Sequence, residues 1–306
     1  MNEANPNRKP PSPFLGALIG LITGVAFGFF GFLMATVPAT RFLGGALFFL
    51  VPISAGVAIS LVMRGSGSLT AVTLLSTFFS LLALIAAGRE GTLCAIMAFP
   101  LVFGVLSVGL LIGYGIRKLL GEGKAPTPAT LLLLPVLIIG GHRLELRSEM
   151  RPRSLEIKST VWLPSGPENV WPYVQSVDSI GGPKPLLMHL GLPVPQKCVL
   201  QGTAVGSKRV CYFNQGYIEE TILAWQPPKR MRFSIDRTNL PGRHWLGFEE
   251  AQYVLEPSAG GTLLTRTTRI TSGLSPAWYW EPLERWGVSS EHHYLFRDLA
   301  RRFREH

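Results

Sequence analysis

Between Phe14 and Ile116 the chain carries only four charged residues, Arg41, Arg64, Arg89 and Glu90. The stretch divides into four apolar runs, Phe14–Val37, Phe42–Met63, Leu69–Ala87 and Thr92–Ile116. Each is close to the roughly 20 residues that carry a helix across about 30 Å of hydrocarbon. Charged residues make up 16% of the 306 positions, against about 25% in ordinary soluble proteins. The deficit is local, because most of the charge follows Gly141. All seven Trp lie at or beyond Trp162, whereas 12 of the 17 Phe precede residue 104. A single soluble globule and a disordered chain are both excluded. Two chemically different halves share one polypeptide.

The pattern predicts an N-terminal tail (1–13), a four-helix transmembrane domain (14–116), a linker (117–153) and a water-soluble domain (154–306). The first run is too long for a cleavable leader and has no small-residue cleavage signal. It carries Gly16, Gly20, Gly24 and Gly28, whose spacing forms one smooth helical stripe suited to close packing. The neighbour on that stripe is another span or, in a homo-oligomer, another copy. No Asp, Glu, Lys, Arg or His lies inside a run, which disfavours a channel or pump and leaves an anchor or a lipid-facing platform.

With the N-terminus inside, the inner side collects Arg8, Lys9, Arg64, Arg117, Lys118 and Lys124, and the outer side Arg41 and Arg89. Both ends of the four-helix unit are therefore expected on the cytoplasmic side of the plasma or inner membrane. A fifth segment, Thr130–Gly141, is apolar but short and contains Pro135. If it crosses, the C-terminal domain lies outside. Arg143, Arg147, Arg151 and Arg153 follow it and favour the cytoplasmic side.

The net charge of +10 divides evenly between the two halves. No basic helix or RNA-binding signature accompanies it, so lipid headgroups and positive-inside topology explain it without nucleic acid.

From Leu155 the apolar pattern changes to alternation broken by turns. Strands are predicted at Leu155–Leu163, Lys197–Gln201, Lys208–Asn214, Tyr217–Trp225, Met231–Asp236, Trp245–Leu255 and Thr262–Thr271. A helix is expected to open at Pro167. A long one spans Pro276–Arg304, where His292, Phe296, Leu299 and Phe303 recur at helical spacing.

This order resembles the START/polyketide-cyclase (SRPBCC, helix-grip) superfamily. The resemblance is carried by Ile157–Leu163 with Pro167–Trp171, by Gly216–Ile222 with Trp225–Phe233, by Glu256–Thr265, and by the helix opening Leu274–Trp280. It covers about half of the chain. It implies an α+β helix-grip domain, in which a curved antiparallel sheet grips a long C-terminal helix around an apolar cavity. It also implies binding of a lipid or other apolar small molecule.

The candidate ligand-binding residues are Phe233, Tyr253, Trp280, Trp286 and His293. The alternatives are a cyclase- or hydrolase-like enzyme using an inward Glu, and a sensory or interaction module without ligand. Neighbours on a strand face opposite ways, so one residue of Glu219–Glu220 and one of Glu249–Glu250 should point inward. A rim position beside an arginine such as Arg266 is the plainer expectation for these acids.

No cofactor fingerprint is present: the chain has no phosphate loop, dinucleotide motif or Gly-x-Ser-x-Gly elbow. The cysteines and histidines have no metal-site spacing, and adjacent His292 and His293 lie about 100° apart on a helix. Cys198 and Cys211 flank the predicted turn symmetrically. They are expected to be free structural thiols, pairing only in an oxidising location.

Overall fold

The computed structural model describes residues 13–36, 44–63, 69–87, 91–120, 128–147, 152–240 and 245–304. The tail expected at 1–13 lies outside them apart from Pro13, as do Arg8, Lys9, Arg41, Arg64, Arg89 and Lys124 of the orientation argument. The chain divides into two compact units. One is Met1–Glu90 with Cys94–Met150, and the other is Arg151–His306 with Gly91–Leu93.

The first unit contains helices α1 (Pro13–Thr36), α2 (Val51–Val62), α3 (Leu69–Ala86), α4 (Thr92–Leu120) and α5 (Pro128–Arg147). Among the described residues three helices are long and apolar enough to cross a membrane: α1, α3 and α4. The second apolar run forms a shorter helix, in which a π-helical turn, Ala46–Leu50, leads into α2. The fifth segment is longer than expected. Thr130–Gly141 forms part of the 20-residue α5, with Pro135 inside it. The polar His142, Arg143 and Glu145 occupy its later turns.

Helix α2 is largely buried, with Val51, Ala55, Val57, Ala58, Ile59 and Leu61 all in the core. The glycine stripe of α1 faces neighbours in the same chain. A Cβ at Gly20 would meet Met63 at 2.6 Å, one at Gly24 would meet Ser76 at 2.5 Å, and one at Gly28 would meet Ser80 at 2.5 Å. Gly16 is buried as well. Gly56 of α2 and Gly109 of α4 go further, because an added Cβ would strike the other helix's backbone. At the C-terminal end of α2, Arg117 donates to the carbonyls of Ser60 (3.1 Å) and Met63 (2.7 Å). At the other end the Ala46 N–H donates to Glu145 at 3.0 Å. Both charges oppose the helix dipole in the favourable sense.

The second unit opens with β1 (Arg153–Leu163), α6 (Pro167–Gln175) and the short α7 (Leu186–His189). Strands β2 (Pro195–Gln201), β3 (Lys208–Phe213), β4 (Gly216–Gln226), β5 (Arg230–Thr238), β6 (Leu246–Ser258) and β7 (Gly261–Ser272) follow, and α8 (Ala277–Arg302) ends it. They form one antiparallel sheet in the order β1-β7-β6-β5-β4-β3-β2. Each predicted strand is present, with ends shifted by a few residues. The β6–β7 turn is closed by Ala259 (φ 42°) and Gly260 (φ 79°), the two positive angles that suit a tight hairpin.

Alternation sends Leu163, Ile222, Met231, Phe233, Tyr253, Leu255 and Leu264 to one face of the sheet. There they pack with Val170, Trp171 and Val174 of α6 and with Phe296 and Leu299 of α8. The start of α8 is held by a buried carboxylate: Glu284 accepts from Arg153 at 2.9 Å and from the Ser272 hydroxyl.

Cys198 and Cys211 are directly opposed on β2 and β3 and form a disulfide. This corrects the expectation of free thiols. The symmetric spacing about the turn had placed them correctly, and opposed cross-strand residues bring their Cβ atoms within bonding range.

Candidate functional site

The face of the sheet turned toward α8 carries a group of polar side chains inside the apolar core. Arg209 of β3 lies opposite Glu220 of β4, and Tyr253 of β6 lies opposite Arg266 of β7. The Arg209–Glu220 pair is buried, with Nη1 donating to the carboxylate at 2.5 Å. The other nitrogens of Arg209 reach α6, where Nε donates to the Gln175 carbonyl at 2.9 Å and Nη2 to that of Val174 at 3.3 Å. Arg209 therefore ties the sheet to the end of α6, and its guanidinium lies 5.2 Å from the Phe233 ring centroid.

Arg266 connects the sheet to α8 in a similar way, through Glu291 at 3.0 Å, while lying 5.3 Å from the Tyr253 ring centroid. Two differences separate it from Arg209. Its Nε is buried without an acceptor, and the Tyr253 hydroxyl has no hydrogen-bond partner among the described residues.

Burial pushes the Glu220 carboxyl up, against the pull of Arg209 and Arg266. Burial likewise raises the Tyr253 phenol. It opposes the charge of Arg266, but Glu291, Tyr253 and Glu220 outweigh it and hold that group above its ordinary value.

His292 of α8 is fully buried. Its Nε2 lies 2.8 Å from the Thr268 hydroxyl and its Nδ1 3.0 Å from that of Ser159. Burial, reinforced by Arg266 and His293, pushes its pKa down to about 2. The ring is therefore neutral, with one nitrogen donating and the other accepting.

The structure brings together only some of the candidate residues. Phe233 and Tyr253 are neighbours in the core, with ring centroids 6.1 Å apart. Trp280 is buried near the start of α8, outside that cluster. Trp286 is 47% exposed. His293 faces solvent, and the inward histidine is its neighbour His292. The stripe His292–Phe296–Leu299 had already placed His292 inward, and one helical step of about 100° turns His293 away. Of the acid pairs, Glu220 points inward. Glu250 lies on the opposite face of the sheet, paired with Arg269 at 2.8 Å. Among the described residues, no group of three His, Cys, Asp or Glu is placed to hold a metal ion.

Arg209, Glu291, Ser159 and Thr268 were not singled out from the sequence. Strand alternation relative to Cys211 puts Arg209 inward. Glu291 follows Glu284 and Val288 at spacings of four and three. The periodicity carries the signal, but charged side chains are rarely buried unless paired, so periodicity alone does not place them inward.

A seven-stranded antiparallel sheet with a long C-terminal helix defines the second unit as an α+β helix-grip domain. The C-terminal half is similar to a START superfamily protein from Mycobacterium smegmatis, at 12% identity over 49% of this chain and 97% of that one, with a TM-score of 0.37. It is also similar to Aha1 from Colwellia psychrerythraea (16% identity, 48% of this chain and 96% of that one, TM-score 0.32). A protein from Rhizobium leguminosarum is a third such structure (13% identity, 49% and 97%, TM-score 0.36). No protein-family model matches the chain, and no curated protein sequence matches it.

Proposed function

We propose that this chain is a membrane-anchored protein whose helix-grip domain binds a lipid or other largely apolar small molecule between the sheet and α8. The observation that carries this reading is the Tyr253–Arg266 pair. Among the polar side chains of the inner face these two, beside Phe233, keep unused hydrogen-bonding capacity: Arg266 an unfilled Nε donor and Tyr253 an unpartnered hydroxyl. Replacing buried ion pairs by apolar side chains is often neutral or stabilising, and uncompensated donors are rarer still, so their retention here supports a role in holding a ligand's polar end. The inner face is closely packed, with Phe233 only 1% exposed, so entry requires α8 or the neighbouring side chains to move.

The same geometry weighs against acid–base catalysis by the inward carboxylate. Arg209 holds Glu220, which favours a structural pair over a proton shuttle. The apolar helices α1, α3 and α4 supply the anchor in this reading. The Cys198–Cys211 disulfide supports a domain facing an oxidising compartment, the side opposite to that favoured by the arginines after Gly141. Thiol labelling of the intact cells' protein with and without prior reduction tests that side.

Mass spectrometry of small molecules retained by the full chain through mild detergent extraction tests the binding. A specific apolar molecule should accompany the wild type and be depleted in Arg266→Gln. Equal lipid content in both, together with no saturable binding of fluorescent fatty-acyl probes, favours an interaction module instead.

A further inference from the structure

The outer face of the same sheet carries a second, independent arrangement of charge. Two cross-strand rows run over β5, β6, β7 and β1. One is Arg232–Gln252–Thr267–Lys158, and the next is Ser234–Glu250–Arg269–Glu156. Between them and Arg230 lies a cleft of about 160 Å³, lined by Arg230, Arg232, Arg269, Glu156, Glu250 and Gln252.

The charges in this cleft are unevenly matched. Both carboxylates are taken by one cation, Arg269, at 2.8 Å to Glu250 and 3.4 Å to Glu156. Arg230 has a single neutral acceptor, the Gln252 side-chain oxygen at 3.1 Å. Arg232 has no side-chain hydrogen bond or ion pair among the described residues, and Lys158 at the end of its row has none either. The Nε atoms of Arg230 and Arg232 are both buried without an acceptor.

A fully solvated surface arginine keeps water on all of its N–H groups, and these two have lost part of that hydration without gaining a counter-charge. Partial desolvation of an unpaired cation is unfavourable, and an incoming anion relieves it. The guanidinium fork matches oxyanions with two parallel hydrogen bonds, which a carboxylate or phosphate group satisfies and chloride does not. The lining holds three arginines and two glutamates, so its formal charge is +1 before any ligand arrives. Such a site suits a singly charged group, with Lys158 at its edge available to a second charge.

We propose that this outer cleft is a binding site for the phosphate group of a phosphate ester. Arg230 and Arg232 act as the charged clamp, and the Gln252 amide and Thr267 hydroxyl act as neutral donors. A lipid headgroup and a soluble phosphate ester share this chemistry, and the experiment separates them.

The full chain in a nonionic detergent is titrated calorimetrically with inorganic phosphate. In a separate arm it is titrated with dihexanoyl phosphatidylglycerol below its micelle concentration. At least one probe should bind saturably and more weakly as salt rises, and the tighter of the two identifies the source. Arg232→Gln and Arg230→Gln should each weaken binding about tenfold, the loss of one charge-assisted contact. Arg232→Lys, which keeps the charge without the fork, should fall between them and the wild type. Lys184→Gln, an exposed substitution elsewhere in the domain, should leave binding unchanged. Thermal melts establish that each variant is folded. Failure of both probes to saturate, or wild-type affinity in folded Arg232→Gln, overturns the proposal.

Discussion

In the helical unit, Gly109 of α4 lies directly on the backbone of Ile53, and Gly56 of α2 on that of Leu106 and Gly109. In the sheet unit, layers meet through large side chains, with Trp171 of α6, Phe233 and Tyr253 of the strands and Phe296 of α8 filling the space between them. The polar groups differ in the same way. In the helices the charges stay at the ends of α2, and mid-helix polar groups include hydroxyls that return to their own backbone, as Thr73 does to the Leu69 carbonyl at 2.7 Å and Thr77 to that of Thr73 at 3.0 Å. In the sheet unit they are full charges, carried inward and paired there. Under the membrane-anchored reading proposed above, apolar surface gains nothing by leaving one apolar medium for another, and close backbone approach takes the place of that gain. A domain built in water gains from burying large apolar groups, and that gain can offset the cost of a few internal charges.

The largest effect should come from unpairing the interior charges. Arg209→Met leaves Glu220 alone in the core and should destabilise the domain by about 3–5 kcal/mol. Arg209→Met with Glu220→Leu should recover most of that loss, because the uncompensated carboxylate is gone. Denaturant unfolding of the four members of this cycle measures the coupling. If the double variant is no more stable than Arg209→Met, the pair stabilises by contacts other than charge compensation.

The corresponding test in the helical unit is steric. Gly109→Val places a branched side chain against the α2 backbone, which cannot yield as a side-chain tip does, and should cost about 3 kcal/mol, the upper end of overpacking effects. Gly104 lies on the same helix with nothing within 4 Å of an added Cβ. Gly104→Ala should therefore gain up to about 1 kcal/mol from helix propensity alone. Thermal melting in detergent ranks the three proteins. Equal melting of Gly109→Val and wild type would show that the α2–α4 contact is not close.

What was legible in the sequence follows this division. Most strands of the second unit were readable because one face is wet, so alternation marks both the strand and its inward side, as in Met231/Phe233/Ile235. The helical runs were readable as separate apolar lengths, and the first, third and fourth match α1, α3 and α4 closely. Phe42–Met63 has the composition of a span, yet within its described residues the helix is shorter than a span, and composition alone does not fix where a helix starts. The glycine stripe was visible, while its neighbours Met63, Ser76 and Ser80 required the fold. The candidate site was half legible. Phe233 and Tyr253 were found as aromatic residues on inward positions. Arg209 and Glu291 were missed because a buried charge is rare enough that its partner must be known before it is believed, and Arg209 and Glu220 are brought together by strand pairing.

The last expected effect concerns His292, and it tests whether the interior of the sheet unit is as dry as its packing implies. In the unfolded chain a histidine titrates near 6.5, whereas in the folded domain His292 is held neutral down to about 2. Below pH 6.5 the unfolded chain therefore binds a proton that the folded domain does not, so stability falls as the solution is acidified. Above pH 6.5 neither state binds it, and the contribution is constant. The slope approaches 1.4 kcal/mol per pH unit, so moving from pH 7 to pH 5 should cost about 2 kcal/mol through this residue. Glu220 acts in the opposite direction, because a carboxyl raised by burial takes up its proton in the folded state first and favours that state on acidification. The informative quantity is thus the difference between wild type and His292→Gln, in which Glu220 and the exposed histidines cancel. The variant loses part of the Ser159 and Thr268 contacts at every pH, which shifts its curve down uniformly. Only the proton linkage changes the slope. Urea unfolding of both proteins between pH 5 and 7.5 should show the wild type losing stability faster on acidification, and parallel curves would mean that water reaches the His292 ring.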